Sequence, residues 1–354
     1  MSSAATTTAG ELTRDDRTRR RSLATRLLVR PEIGSLVGGL AIFCFFMVVA
    51  PSFRNVDNAG TILYGASTIG LMAVPVALLM IGGEFDLSAG VLVTTAGLAA
   101  ALLSWSFNLN VWVGVVLALL VALAVGLVNG LLLTRTRLPS FLTTLSTFFV
   151  LQGVNLGITR WVGGGVASPA ISDMAGFSSA HAVFASEWVL QFGTHTLRLK
   201  ITLLYWLLLT LVGAWLLLRN RWGNWILAVG GDEDAARASG VPVRRTKVGL
   251  YLFVAFAAWL SGMHLLFGYG VVQSGEGVGK EFLYIIAAVI GGCLLTGGFG
   301  SVVGASVGAL IYGMTQLGIN YAGWNPDWFK TFLGVMLLLS TLLNVWLKRK
   351  AEQR

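Results

Sequence analysis

The sequence predicts an all-α integral membrane protein of about ten transmembrane helices, some of them broken or re-entrant at glycine-rich points. Three observations lead there. The 354 residues are 55% hydrophobic and only 12% charged, with a mean hydropathy of +0.76, whereas soluble domains carry about 25% charged residues. The charges are also clumped. Between Asp57 and Arg135 only Glu84 and Asp86 are charged, and Lys200 to Arg219, Lys247 to Glu276 and Glu281 to Asp327 enclose no Asp, Glu, Lys or Arg. Such runs suit a bilayer, which takes about 20 apolar residues per span. Thirdly, the basic residues sort to alternate connections.

Residues 1–33 form a basic tail, with seven arginines between positions 14 and 30. The apolar run that follows, 34–50, reads as an uncleaved first span, since no clean small-x-small cleavage site comes after it. Further spans are predicted at 60–81, 88–104, 111–133, 141–158, 201–218, 248–268, 282–296, 301–320 and 330–347, giving a transmembrane domain of 34–347 and a tail of 348–354. Near Gly82–Gly83 and Gly297–Gly298 the chain can turn at membrane depth, where irregular backbone is tolerated if protein or water surrounds it. With the N-terminus inside, segments 1–33, 82–87, 134–140, 219–247 and 348–354 hold 19 of the 25 Lys and Arg. The positive-inside rule then places both termini in the cytoplasm.

Two connections are long. Segment 159–200 is external and too polar to span, with a short surface helix expected over 182–192. The loop 219–247 is cytoplasmic. The net charge of +9 follows from these basic loops and calls for no nucleic acid; lipid is the expected surrounding. Cys44 and Cys293 lie inside apolar runs, implying neither disulfide nor metal site. Ile81-Gly82-Gly83 and Ile290-Gly291-Gly292 look alike, but both runs travel outside to inside and so are not an inverted pair.

Chemistry is mostly excluded. No HExxH and no closely spaced Cys/His set is present, and no cofactor is implied. Ser274-Gly275-Glu276-Gly277-Val278-Gly279-Lys280-Glu281 approaches a phosphate loop, but Ser274 stands where Gly is needed and Glu281 where Ser or Thr is needed. It also falls on the outer side, so the chain is not expected to hydrolyse ATP or to be an enzyme. Glu84 and Asp86, in Gly82-Gly83-Glu84-Phe85-Asp86-Leu87-Ser88, stand out because an ionised carboxylate at mid-bilayer costs about 2.5–3.5 kcal/mol on insertion scales. They belong either to a solvated turn in which Asp86 and Ser88 cap the next helix, or to a translocation path or its gate. In the loop 219–247, Asp232 is a candidate N-cap, Glu233 and Asp234 suit a first helical turn, and Gly240 is a stop before Pro242.

GGEFDLSAG at 82–90, NGLLLTRTRLPSFLTTLSTFFVLQG at 129–153, GGDEDAARASGVPVRRTK at 230–247 and AAVIGGCLLTGGFGSVVGASVGALI at 287–311 stand in this order. Together they resemble the ribose/xylose/arabinose-type permeases of bacterial ABC importers over nearly all of 60–345. The first departs from the family's usual GGIDLS: Glu84 and Phe85 fill a one-residue gap, adding a carboxylate. The resemblance implies a permease in the bacterial cytoplasmic membrane that moves a monosaccharide or related small polar solute. Its expected partners are a cytoplasmic ABC ATPase, a periplasmic sugar-binding protein and a second permease subunit, as a homodimer. It makes 232–240, with Asp232, Glu233, Ala235, Arg237 and Gly240, the coupling helix seated in the ATPase. Asp86 and Ser88 match the signature turn. Asn129, Gln152 and Asn155 either face the path or hold helices together. The competing reading is a stand-alone secondary transporter or channel with Glu84 and Asp86 as ion or proton sites.

Overall fold

The computed structural model describes residues 31–352; the expectations for residues 1–30 and 353–354 fall outside them. The chain is helical almost throughout, and among the described residues eight helices are long and apolar enough to cross a membrane. These are α1 (Pro31–Val49), α2 (Val56–Ile81), α3 (Ala89–Ser106), α4 (Val111–Thr136), α5 (Ser140–Gly163), α7 (Thr202–Arg219), α10 (Val243–Tyr269) and α12 (Val302–Tyr321). Two further predicted spans are present in other forms. Helix α11 (Lys280–Ile290) is a short helix, and α13 (Trp328–Glu352) is apolar over Trp328–Asn344.

Helix ends follow local chemistry. The Asn55 side chain accepts the Asp57 N–H before α2, and Asn110 accepts the Trp112 N–H before α4, the usual way an Asn at the N-cap satisfies a free helical N–H. Helices α2, α3 and α10 are mostly buried in protein, while α1, α5 and α7 are mostly exposed.

The external segment departs from expectation. A helix lies at Phe177–Phe184 (α6), and 187–200 is an antiparallel hairpin, β1 (Glu187–Phe192) with β2 (His195–Lys200), pairing Glu187 with Lys200 and Phe192 with His195. The helix expected over 182–192 is therefore displaced by a strand. The turn at Gly193, in the left-handed region at φ +60°, brings Trp188 opposite Leu199 and Leu190 opposite Leu197, apolar cross-strand pairs that stabilise a hairpin. Lys200, with Arg198 beside it, holds the Glu187 carboxyl below its usual range. The Asp57 carboxylate accepts the Thr196 N–H, so the hairpin is tied to the start of α2.

The hairpin marks one face of the molecule. The opposite face carries the connections 82–88, 134–139, 220–242 and 291–301, and is called the loop face below. Between them the chain is organised as two four-helix units, α2–α5 and α10–α13. Helix α2 packs chiefly on α12, and α10 chiefly on α4, while α3 packs on α4 and α10 just as α11 packs on α12 and α2. Helix α2 runs from the hairpin face to the loop face and α10 runs back, so the units are inverted with respect to each other. The correspondence is therefore between 82–88 and 270–279, not between the two Ile-Gly-Gly runs.

Both of those connections enter the membrane layer. Gly262 packs on Gly97 and lies ~28 Å along α10 from Val243, at 1.5 Å per residue. Ala89 is ~12 Å nearer the loop face than Gly97 by the same rise, so α3 begins roughly halfway through a ~30 Å apolar layer. From the other side, 270–279 descends from the end of α10. Val272 reaches Gly97, and Gly277 reaches the backbone of Gly90 so closely that a Cβ on either would collide. Segment 274–281, expected at the outer side, thus ends at mid-depth, and α11 covers only the remaining half. The first turns of α3 and α11 meet there.

Candidate functional site

The site lies where the loop-face end of α2, the short helices of the 220–242 connection and the start of α10 converge. Helix α8 (Arg221–Gly231) leads into α9 (Glu233–Ala238), a single capped turn and a half. Asp232 Oδ1 accepts the Ala235 N–H at 2.9 Å, as expected of an N-cap. Gly240, at φ +81°, reverses the chain after the helix, with the Val241 N–H returning to the Ala236 carbonyl. Asp232, Ala235, Arg237 and Gly240 are exposed, Glu233 is half-buried, and Ala236 alone of the helix is buried, against Val229 and Val243. Arg237 pairs with Glu233 at 2.6 Å across one turn.

Directly beneath this helix three glycine pairs meet. Gly83 faces Gly230, Gly297 packs on Gly83 and the Gly230 carbonyl, Gly298 packs on Gly231, and the Gly298 N–H bonds to the Ile81 carbonyl at 2.9 Å. A Cβ on Gly230 would collide with that same carbonyl. Gly83, Gly297 and Gly298 all adopt positive φ, open to glycine at no steric cost. Three backbones therefore touch with no side chain between them.

The carboxylates of the 82–88 turn are not in a solvated turn, the bland reading of the sequence. Glu84 and Asp86 are 7% and 2% exposed. Glu84 bonds to Lys247 Nζ at 2.5 Å, and the same ammonium bonds to Glu233 at 2.5 Å. Asp86 Oδ1 accepts the Ser88 N–H at 2.8 Å and the Ser88 hydroxyl at 2.5 Å. Ser88 stands at the N-cap of α3, but its hydroxyl makes no capping bond, because it is committed to Asp86. Asn129 Nδ2 then donates to Ser88 Oγ at 3.0 Å, and Asn129 Oδ1 accepts from Thr147 Oγ1 at 2.7 Å.

The turn's backbone is held as thoroughly. Phe85 N–H donates to Ser140 Oγ at 3.2 Å, Leu87 N–H to Thr144 Oγ1 at 3.1 Å, and the Phe85 carbonyl accepts Tyr251 OH at 2.8 Å. Buried backbone groups need partners of this kind. Four of the six residues singled out for the path, Glu84, Asp86, Ser88 and Asn129, therefore fall in one neighbourhood. Asn155 lies apart, reaching the Val91 carbonyl at 3.5 Å, and Gln152 is half-buried one turn before it. A cleft of about 390 Å³ opens beside the turn, between Glu84, Ser140, Arg137, Arg237, Arg244 and Lys247.

Sequence reasoning missed Lys247, Tyr251 and Glu281. Lys247 and Glu281 each border an uncharged run, the signal that could have marked them; nothing in the sequence marked Tyr251. Glu281 is 3% exposed at the first turn of α11, where its carboxylate accepts the Gly279 N–H. Among the described residues no group of His, Cys, Asp and Glu could hold a metal. The arrangement is suited to linking movements of separate elements.

The family model described as branched-chain amino acid transport system / permease component matches residues 58–341. The chain is 30% identical over 315 residues to the ribose import permease protein RbsC of Escherichia coli (strain K12), covering 88% of this chain and 93% of that protein. It is 31% identical over 334 residues to the galactose/methyl galactoside import permease protein MglC of the same organism, with 88% and 94% covered. Against the fructose import permease protein FrcC of Rhizobium meliloti it is 25% identical over 319 residues, with 88% and 84% covered. No solved structure matches it.

Proposed function

The chain belongs to the branched-chain amino acid transport system / permease component family, and from that premise we propose that it is the membrane-spanning permease subunit of an ATP-driven importer for a monosaccharide or related small polar solute. The ATPase is a separate cytoplasmic subunit, a binding protein delivers the solute from the other side, and a second permease subunit, as a homodimer, completes the path. Glu84, Asp86, Ser88 and Asn129 make the gate region, with Gln152 and Asn155 further along the path.

The observation that carries this reading is α9: a capped helix of six residues, exposed except at the half-buried Glu233 and the buried Ala236, and projecting from the loop face. A structure so small and so little buried is placed for an external partner, and the ATPase is that partner here. Asp232, Glu233, Ala235, Arg237 and Gly240 form the contact. On the opposite face the hairpin presents Trp188, Val189, Leu190 and Phe192, each more than a third exposed, where the binding protein would dock. The loop face is then cytoplasmic, which agrees with its share of the basic residues. A stand-alone transporter with Glu84 and Asp86 as ion or proton sites is less well supported, since Glu84 is bonded to Lys247 and Asp86 to Ser88.

Coupling helix variants test the reading. In cells expressing the chain with its ATPase and binding protein, Arg237→Glu and Gly240→Asp are expected to abolish uptake of radiolabelled ribose, galactose or fructose, while the chain remains folded in the membrane. Gly240 has open space where a Cβ would stand, so the cost of Gly240→Asp within the chain is that of a side chain at φ +81°, which Asp tolerates better than most residues. Normal uptake by both variants, with ATP hydrolysis still coupled, would sink the docking role.

A further inference from the structure

We propose that Lys247 is the positioning residue that transmits movement of the coupling helix to the 84–88 turn, an inference that rests on the permease reading above. The Lys247 ammonium lies 2.5 Å from Glu84 in the turn and 2.5 Å from Glu233 in α9. An ammonium has three donors, so one Lys holds both carboxylates at once. Glu84 and Lys247 are each 7% exposed, where salt screens a pair far less than at the surface.

The helix has few other ties to the membrane domain. Ala236 packs on Val229 and Val243, and the Arg237–Glu233 pair lies within α9 itself. At its root the glycine junction puts no side chain between Gly83, Gly230 and Gly297, leaving a pivot. Docking that shifts α9 by about the length over which a hydrogen bond fails, roughly 1 Å beyond its normal range, has two outcomes. Either Lys247 and Glu84 follow, or Glu233 leaves and the cation is held by Glu84 alone. Both alter the turn. Through Phe85 and Leu87 the turn is bonded to Ser140 and Thr144 of α5 and to Tyr251 of α10, so the change reaches the walls of the gate region.

The test is the ratio of solute taken up to ATP hydrolysed in proteoliposomes containing the chain with its ATPase and binding protein, using ribose, galactose and fructose as probes. K247M is expected to lower that ratio at least tenfold with the ATPase subunit still co-purifying, and K247R to keep at least half of it. E84Q should lower it likewise, and E84Q/K247M should fall no further than K247M, since residues acting as one link are not additive. A merely structural role would reduce the amount of folded protein and leave the ratio alone. A K247M ratio within twofold of wild type overturns the proposal. Where K247M does not assemble, E233Q, which keeps the buried Glu84–Lys247 pair, is read in the same way, and an unchanged ratio again overturns it. A wild-type chain that binds no ATPase subunit defeats the permease reading and this inference with it; a coupled wild type beside a coupled K247M defeats this inference alone.

Discussion

Asn129 sits two turns before the end of α4 with no exposure to solvent, and each end of its amide is used: Nδ2 on Ser88, Oδ1 on Thr147. A buried amide costs free energy unless it is bonded, and its removal takes one bond from each partner, leaving Ser88 Oγ on Asp86 and Thr147 Oγ1 on the Thr143 carbonyl. Asn129→Leu is expected to destabilise the chain by about 1–3 kcal/mol, the net contribution of two hydrogen bonds, seen as a lowered midpoint of thermal unfolding in detergent. Asn155→Leu, whose side chain makes among the described residues only the long bond to Val91, should shift the midpoint much less. Equal shifts would mean that the network contributes nothing beyond burial. The sequence marked Asn129, Asp86 and Ser88 because polar groups in apolar runs stand out. It did not mark Lys247 or Thr147. Lys247 reads as the last charge of a basic loop, and its partner Glu84 lies 163 positions away; no spacing rule connects them. The additional carboxylate at Glu84 was visible as a departure from the family's signature turn, but the cation it meets was not.

At the scale of elements, the loop-face glycines do what a hinge requires. Gly230 ends α8 against the Ile81 carbonyl, while its neighbour Gly231 has nothing within 4 Å of where a Cβ would stand. The pair makes an internal control. Gly230→Val is expected to displace the start of α9, so that the ATPase subunit no longer co-purifies with a membrane-inserted chain. Gly231→Ala should bind it normally. Retention of the subunit by both variants would show that the junction has more room than its contacts indicate. Glycine doublets at 82–83 and 297–298 were legible as breaks in apolar runs, and 230–231 as part of a family signature; their convergence was not, because it depends on how α2, α8 and the 291–301 connection are brought together by packing. The same limit explains the external segment. Trp188, Val189 and Leu190 look equally suited to an amphipathic surface helix or a strand, and only the pairing of β1 with β2 and the Asp57 bond to Thr196 decide between them.

The whole molecule is two inverted units, and this has a consequence for its ends. Helix α1 leads to the hairpin face, where α2 begins, so its own start lies on the loop face; there Glu32 accepts the Ser301 hydroxyl at 2.8 Å. Helix α13 starts at the hairpin face and runs back along α11, with Asn344 donating to the Val289 carbonyl at 3.1 Å. Both ends of the described chain therefore leave on the face that carries α9. The apolar runs marked the spans, and the sorting of basic residues is the argument for their direction, but the half-depth entry of 82–88 and 270–279 could not be read from hydropathy, since it is fixed by glycine contacts between α3, α10 and α11. The direction is open to a direct experiment. In a background lacking Cys44 and Cys293, single cysteines replace Ser239, just beyond α9, and Thr194, at the hairpin tip; both positions are exposed. A membrane-impermeant maleimide applied to intact spheroplasts is expected to label Thr194→Cys, and to label Ser239→Cys only after the membrane is permeabilised. The reverse pattern would place α9 outside, beyond reach of a cytoplasmic ATPase, and would overturn both the orientation and the coupling role that depends on it.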